Sequence, residues 1–118
     1  MVKTKTKPLM PSLREKKRYL VYEAISKTKF DAVEINNAIF NNAKEFLGNL
    51  GMAKAGILML NDKWNKEIQK GILRVNNKHL DEIRASLVFL KDVNGKEALV
   101  RSIGASGILK KANDRYVK

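Results

Sequence analysis

Residues 30–35, Phe-Asp-Ala-Val-Glu-Ile, constrain the fold more than any other stretch, because they hold a complete helix start. Asp31 and Glu34 stand at the N-cap and N3 positions of a capping box, and Phe30 before the cap can staple onto Ile35 at N4. Beyond them Ile35, Ile39, Ala43, Phe46 and Leu50, supplemented by Ala38 and Leu47, keep near-helical spacing. Gly48 or Gly51 supplies the left-handed residue that ends such a helix. One helix is therefore expected over residues 32–48.

The segments around it alternate in character. Residues 18–26, Arg-Tyr-Leu-Val-Tyr-Glu-Ala-Ile-Ser, are rich in aromatic and branched side chains, lack Gly and Pro, and read as a strand. Residues 55–61 form a second apolar run, and Asn61-Asp-Lys-Trp-Asn-Lys reads as a connection to a third strand over residues 67–75, so this pair is expected to be a hairpin. Asn76 and Asn77 offer an N-cap, Asp81 and Glu82 suit a first turn, and Leu80, Ile83, Leu87 and Leu90 form the apolar stripe of a second helix. Asn94-Gly95 is a turn signal, followed by a strand-like run over residues 97–103. The order strand, helix, strand, strand, helix, strand points to an α+β chain: a βαββαβ, ferredoxin-like or RNA-recognition-motif-like plait, its antiparallel sheet carrying both helices on one face. The expected organisation is a basic tail over residues 1–13, a single plait domain over 14–107, and a basic segment over 108–118 that is compatible with a helix.

Charge narrows the function. The chain carries 24 Lys and Arg against 12 Asp and Glu, a net charge of +12, a field that attracts polyanions. Residues 1–18 hold seven bases and one acid, and residues 108–118 hold four bases and one acid, so the ends carry +9 and the middle only +3. Solubility does not require so one-sided an excess. An anionic membrane surface fits less well than nucleic acid, since the basic segments lack the Trp, Phe and Leu face of an interfacial helix. No apolar run approaches the length that spans a bilayer, and the basic start has no apolar region behind it, so a cytoplasmic location is expected. The absence of Cys removes disulfides and thiolate metal sites.

Candidate contact residues fall into two groups. The basic entry to the first strand, Arg14, Lys16, Lys17 and Arg18, and the closing Lys110, Lys111 and Arg115 are candidates for RNA phosphates. Gly104, Ser106 and Gly107 could form a backbone nest facing a phosphate, or simply a tight turn into a helix. The second group follows from strands that are apolar on both sides. Tyr19, Val21 and Ile25 alternate with Leu20, Tyr22 and Ala24, and Ile57 and Met59 with Leu58 and Leu60. The sheet face away from the helices is thus expected to be covered, either by the protein's own terminal segments or by a partner, with Leu20, Tyr22, Leu58 and Leu60 as the partner-binding candidates. A stacking platform of the RNA-recognition-motif kind is not evident, because Lys70-Gly71-Ile72-Leu73-Arg74-Val75 has the opening Lys-Gly but no aromatics. Trp64 in its polar setting could stack on a base or lid the hairpin.

Three stretches together, Leu13-Arg14-Glu15-Lys16-Lys17-Arg18-Tyr19, Gly71-Ile72-Leu73-Arg74 and Ile103-Gly104-Ala105-Ser106-Gly107-Ile108-Leu109-Lys110-Lys111, resemble the archaeal ribonuclease P protein component 2 family over essentially the whole chain. The family pattern often has Thr where this chain has Ile108. The resemblance implies a plait-fold subunit of an RNA-based endonuclease that removes the 5′ leader from precursor tRNA. It also implies that the RNA is the catalyst and requires Mg2+, and the chain itself is expected to bind no cofactor or metal. The implied partners are the ribonuclease P RNA, ribonuclease P protein component 3 and the other ribonuclease P proteins, with precursor tRNA as substrate of the whole particle; self-association is a further candidate. The alternatives are a ribosomal-type RNA-binding protein and a small plait-fold hydrolase. No catalytic residue is expected in the chain: His79 is the single histidine, suited to a surface or core-edge role, and the carboxylates are spread along the sequence.

Overall fold

The computed structural model describes residues 16–117, so the tail over 1–13 and Arg14 lie outside the described residues. Strand β1 (Lys17–Ile25) is followed by helix α1 (Ala32–Ala55), strands β2 (Leu58–Asn65) and β3 (Lys70–Asn76), and helix α2 (Leu80–Val88). A small hairpin of β4 (Asp92–Val93) and β5 (Lys96–Glu97) leads into β6 (Leu99–Ser106), and the chain closes on helix α3 (Leu109–Ala112) with a π-helical turn over Asn113–Val117. The main sheet has the order β2-β3-β1-β6, with every neighbouring pair antiparallel. This is the plait expected from the element order.

The helix start forms as its residues dictate. The Asp31 N–H donates to Glu34 Oε1 at 3.3 Å to complete the capping box, and Phe30 and Ile35 are both fully buried in the same cluster. The far end differs from expectation. Gly48 does take a left-handed φ of 76°, but it kinks the helix instead of ending it. Helical structure resumes to Ala55, where Gly56 at φ 60°, ψ 45° makes the αL cap and donates its N–H to Met52 O at 3.2 Å. The helix continues because residues beyond the kink still find the core: Ala55 is buried and Met52 packs against it.

Three other boundaries move. The polar stretch after Asn61 is the second half of β2, and the turn comes after Asn65, with Gln69 at φ 56°. Gln69 is buried, accepts from the Phe30 N–H at 3.0 Å and donates to Lys66 O at 2.7 Å, so this turn is tied to the entry of α1. Asn76 and Asn77 do not cap α2 with their side chains; a 3-10 turn over Asn77–His79 precedes it instead, and Asn76 Nδ2 reaches back to Lys54 O at 2.8 Å. Asn94 at φ 53° and Gly95 at φ 80° form the turn of the β4–β5 hairpin, with the left-handed pair of φ values that a type I′ turn requires. The long final strand starts two residues later than expected, at Leu99, and runs on through Gly104 to Ser106.

Two cores result, one on each side of the sheet. On the helix side Leu20, Tyr22, Ala24, Leu73, Val75 and Val100 meet Phe30, Ile35, Ile39, Ala43, Ile83 and Leu87. Full burial of each large apolar side chain contributes about 1.5–3 kcal/mol. On the other side Val21 and Ile72 meet Ala112 and Val117, with Tyr19, Leu60, Ile103, Leu109 and Tyr116 at the margin. Residues 109–117 are therefore laid over the sheet as its second layer. The β1–β6 ladder accommodates them with a bulge: Val21 pairs with Gly104 but Tyr22 pairs with Ser102, leaving Ile103 extra.

Candidate nucleic-acid interface

Because β1 is antiparallel to both of its neighbours, its first residues lie beside the last residues of β3 and β6. The Asn77 N–H donates to Lys16 O at 2.7 Å, Lys17 Nζ donates to Asn76 Oδ1, and Arg18 Nε donates to Asn77 Oδ1 at 2.9 Å. An Arg18 terminal nitrogen also lies 3.8 Å from where a Cβ on Gly107 would stand. Lys16 and Lys17 are exposed and Arg18 is half-buried, so these bases are held at one end of the sheet. Among the described residues, cations paired with carboxylates elsewhere include Lys66 with Asp31 at 2.7 Å, Arg101 with Glu23 at 2.9 Å and Arg84 with Asp81 at 3.5 Å. The Lys66 ammonium pKa is raised by its hydrogen bond to Asp31 and by the charge of that carboxylate.

The C-terminal candidates start from the same end. The Ser106 backbone pairs with Tyr19, and Ser106 Oγ accepts from the Ile108 N–H at 3.2 Å, turning the chain into α3. Leu109 and Ala112 face the sheet, leaving Lys110 and Lys111 exposed on top. Arg115 is exposed further along, where the adjacent Tyr116 carbonyl accepts from Lys70 Nζ at 3.3 Å. The structure thus brings Lys16, Lys17, Arg18, Ser106 and Gly107 to one end of the sheet, with α3 leaving from it. It makes no nest of Gly104–Gly107: neither glycine has a left-handed φ, and Gly104 sits within β6 beneath the Tyr116 ring. Glycine is needed there for close approach, since a Cβ would lie 2.4 Å from the ring.

The partner-binding candidates separate. Leu20 and Tyr22 are fully buried on the helix side, so neither can meet a partner. Strand alternation had left open which side the helices would take, and α1 and α2 take this one. The Tyr22 hydroxyl donates to Asn36 Oδ1, its ring stacks on Trp64 at 6.0 Å, and burial pushes its pKa well above the ordinary tyrosine range. Trp64 donates Nε1–H to Phe30 O at 3.0 Å and so lids the helix-side core. Leu60 packs under the C-terminal layer, whereas Leu58 remains 44% exposed on the same face. His79 contacts Glu82 at the start of α2. Arg74 was not among the sequence candidates, although its place opposite Tyr19 follows from strand alternation once the β1–β3 pairing is known.

Comparison with known proteins agrees with this architecture. The profile of the Rpp14/Pop5 family matches residues 18–117, a span that includes the C-terminal layer. Curated relatives named ribonuclease P protein component 2 match over 80% to 95% of their length. That of Pyrococcus furiosus is 36% identical over 111 residues, 94% of this chain and 91% of the relative. That of Thermococcus kodakarensis is 34% identical over 116 residues, covering 98% and 95%, and that of Methanosarcina acetivorans 38% identical over 112 residues, covering 95% and 82%. Among solved structures, a chain in the cryo-EM structure of yeast ribonuclease MRP shares the fold with a TM-score of 0.61 at 15% identity, over 80% of this chain and 76% of that one. A basic plait whose C-terminal segment closes its own sheet, matched across both layers by one family profile, belongs to the Rpp14/Pop5 family.

Proposed function

We propose that this chain is an RNA-binding, non-catalytic protein subunit of ribonuclease P, which supports the catalytic RNA in removing the 5′ leader from precursor tRNA. The observation that carries the reading is the near full-length likeness to ribonuclease P protein component 2, at 36% identity over 94% of the chain. The surface is consistent with it: a chain of net charge +12 fixes Lys16, Lys17 and Arg18 at one end of the sheet and exposes Lys110, Lys111 and Arg115 on the layer that leaves it. Its immediate protein partner is ribonuclease P protein component 3, and the particle acts in the cytoplasm. Mg2+ serves the RNA; among the described residues no three His, Cys, Asp or Glu side chains cluster in a way that could hold an ion.

Reconstitution tests the reading. The chain, component 3 and the ribonuclease P RNA of the same organism are mixed in Mg2+ and assayed on a 5′-labelled precursor tRNA. The protein pair should lower the Mg2+ and RNA concentrations at which leader cleavage occurs, and the chain alone should cleave nothing. Cleavage by the RNA-free chain would replace this reading with the hydrolase one. Failure of the chain to alter RNA-catalysed cleavage or to retain the RNA would remove it.

A further inference from the structure

Across the sheet face opposite α1 and α2, register sorts the side chains into rows. Leu60, Ile72, Val21 and Gly104 share one row, and Leu58, Arg74, Tyr19 and Ser106 share the next. The first row is roofed by the C-terminal layer, with Tyr116 on Gly104 and with Ala112 and Val117 buried against Val21 and Ile72. The second is bounded by that layer where α3 departs after Ser106, and its other end is left open: Leu58 is 44% exposed and Arg74 and Tyr19 are half-buried.

Arg74 is the anomaly in this row. Its Nε is shut away from water without a hydrogen-bond partner, and no carboxylate among the described residues pairs with its guanidinium. The enclosed Nε, a feature shared with Arg84, is out of a ligand's reach, so a ligand would meet the half-buried Arg74 through its terminal nitrogens. The arrangement is a fork-shaped cation beside the half-buried Tyr19 ring, which borders the C-terminal cluster, with the exposed Leu58 on its outer side. A phosphate oxygen pair matches the fork. A nucleobase matches the ring, since every base has a face that stacks on an aromatic side chain. A duplex would not do, because its stacked bases hide those faces. An acidic protein segment could also meet Arg74, but a chain of net charge +12 favours the more densely charged polyanion.

We infer that the open-face row Leu58–Arg74–Tyr19 binds one unpaired RNA nucleotide, the Tyr19 ring stacking on its base and the Arg74 guanidinium taking its phosphate. The inference rests on the RNA-binding reading above and adds to it a place and a mode. The aromatic platform missing from β3 is supplied by β1, one strand over, beside the β3 cation.

The test uses the full chain with two fluorescein-labelled probes, an octauridylate and an RNA duplex, followed by anisotropy over a range of salt. Tyr19→Leu should weaken octauridylate binding by about 5- to 150-fold, the range for losing one stacked base, with the salt slope unchanged. Tyr19→Phe should bind as the parent does. Arg74→Gln should weaken the same probe and make the log–log salt slope shallower by about 0.7, as expected for one phosphate contact on a single strand. Duplex binding should not respond to Tyr19→Leu. Circular dichroism monitors folding; should Tyr19→Leu unfold, photocrosslinking of 4-thiouridine octamer to the unaltered chain decides, with the adduct expected at Tyr19 or its row. Folded Tyr19→Leu and Arg74→Gln variants that bind octauridylate normally, or adducts confined to other segments, would overturn the site while leaving RNA binding intact. Failure of the unaltered chain to bind either probe would instead remove the reading on which the site rests.

Discussion

Tyr22 shows how one polar atom is accommodated within the helix-side core. Its hydroxyl donates to Asn36 Oδ1, and the Asn36 amide donates onward to Asn61 Oδ1, so a short chain of hydrogen bonds crosses from β1 through α1 to β2. The ring is fully buried, and burial holds the phenol proton on to a pH well above its ordinary range. In the unfolded chain the same proton leaves near the ordinary tyrosine value of about 10. Below that pH both states keep it and the contribution to stability is complete. Above it the unfolded state sheds a proton that the folded state retains, so stability falls as pH rises toward the folded pKa. Urea unfolding between pH 8 and 11 should therefore show an alkaline decline that is flatter in Tyr22→Phe. The same variant should be less stable by about 1–3 kcal/mol at neutral pH, because Asn36 Oδ1 loses its buried donor. An alkaline limb of equal slope in both proteins would assign the decline to other groups.

The C-terminal layer is the element whose role depends most on a single backbone position. Gly104 lies under Tyr116 so closely that an added Cβ would stand 2.4–2.9 Å from three ring carbons. Gly104→Ala must push the ring off β6, and since Ala112 and Val117 share its cluster, the whole layer should loosen. The expected cost is about 1–3 kcal/mol, as for other overpacked sites. The helix-side core shares no residue with this cluster, so trypsin should cut first at Lys110, Lys111 and Arg115, leaving a protected core fragment. Digestion followed by mass spectrometry checks the order of cleavage; a melting temperature and cleavage pattern like the parent's would mean that the ring does not hold the layer down. The same position shows where sequence reading stops. Glycine permits both positive φ and close approach; a nest at Gly104–Gly107, one of the two readings the sequence left open, would use the first, whereas at Gly104 the structure uses the second. The local signals of the α1 start and the Asn94-Gly95 turn were legible because their determinants lie within a few residues. The side of β1 that would meet the helices was not. Both sides are apolar because both are covered, and alternation distinguishes faces without naming them. The kink at Gly48 was hidden for a related reason: whether a left-handed residue ends a helix depends on whether the residues beyond it, here Met52 and Ala55, find a core.

At the scale of the molecule, the excess charge is a property of its two ends, +9 of the net +12, and among the described residues the fold holds Lys16, Lys17 and Arg18 at the same end of the sheet as Ser106 and Gly107, where the C-terminal segment begins. Lys17 and Arg18 are tethered there by Asn76 and Asn77, so they can follow an RNA backbone at a fixed spacing, whereas free tails would have to be ordered first. Each phosphate that a base neutralises releases counterions, giving a slope of about −0.7 to −0.9 in log affinity against log salt per contact. Changing Arg14, Lys16, Lys17 and Arg18 together to Gln should make the slope for ribonuclease P RNA shallower by up to roughly 3, if each touches a phosphate. Gln keeps hydrogen-bonding capacity toward Asn76 and Asn77, so folding should change less than RNA affinity. Sequence preference should barely move, since backbone contacts position without specifying. In the reconstituted particle the defect should disappear at low salt or saturating protein, where docking is complete. A defect that persists under those conditions would show that the cluster shapes the RNA's active site as well as holding the RNA. An unchanged slope would take these four residues out of the interface, and the phosphate contacts would pass to Lys110, Lys111 and Arg115 on the opposite terminal segment.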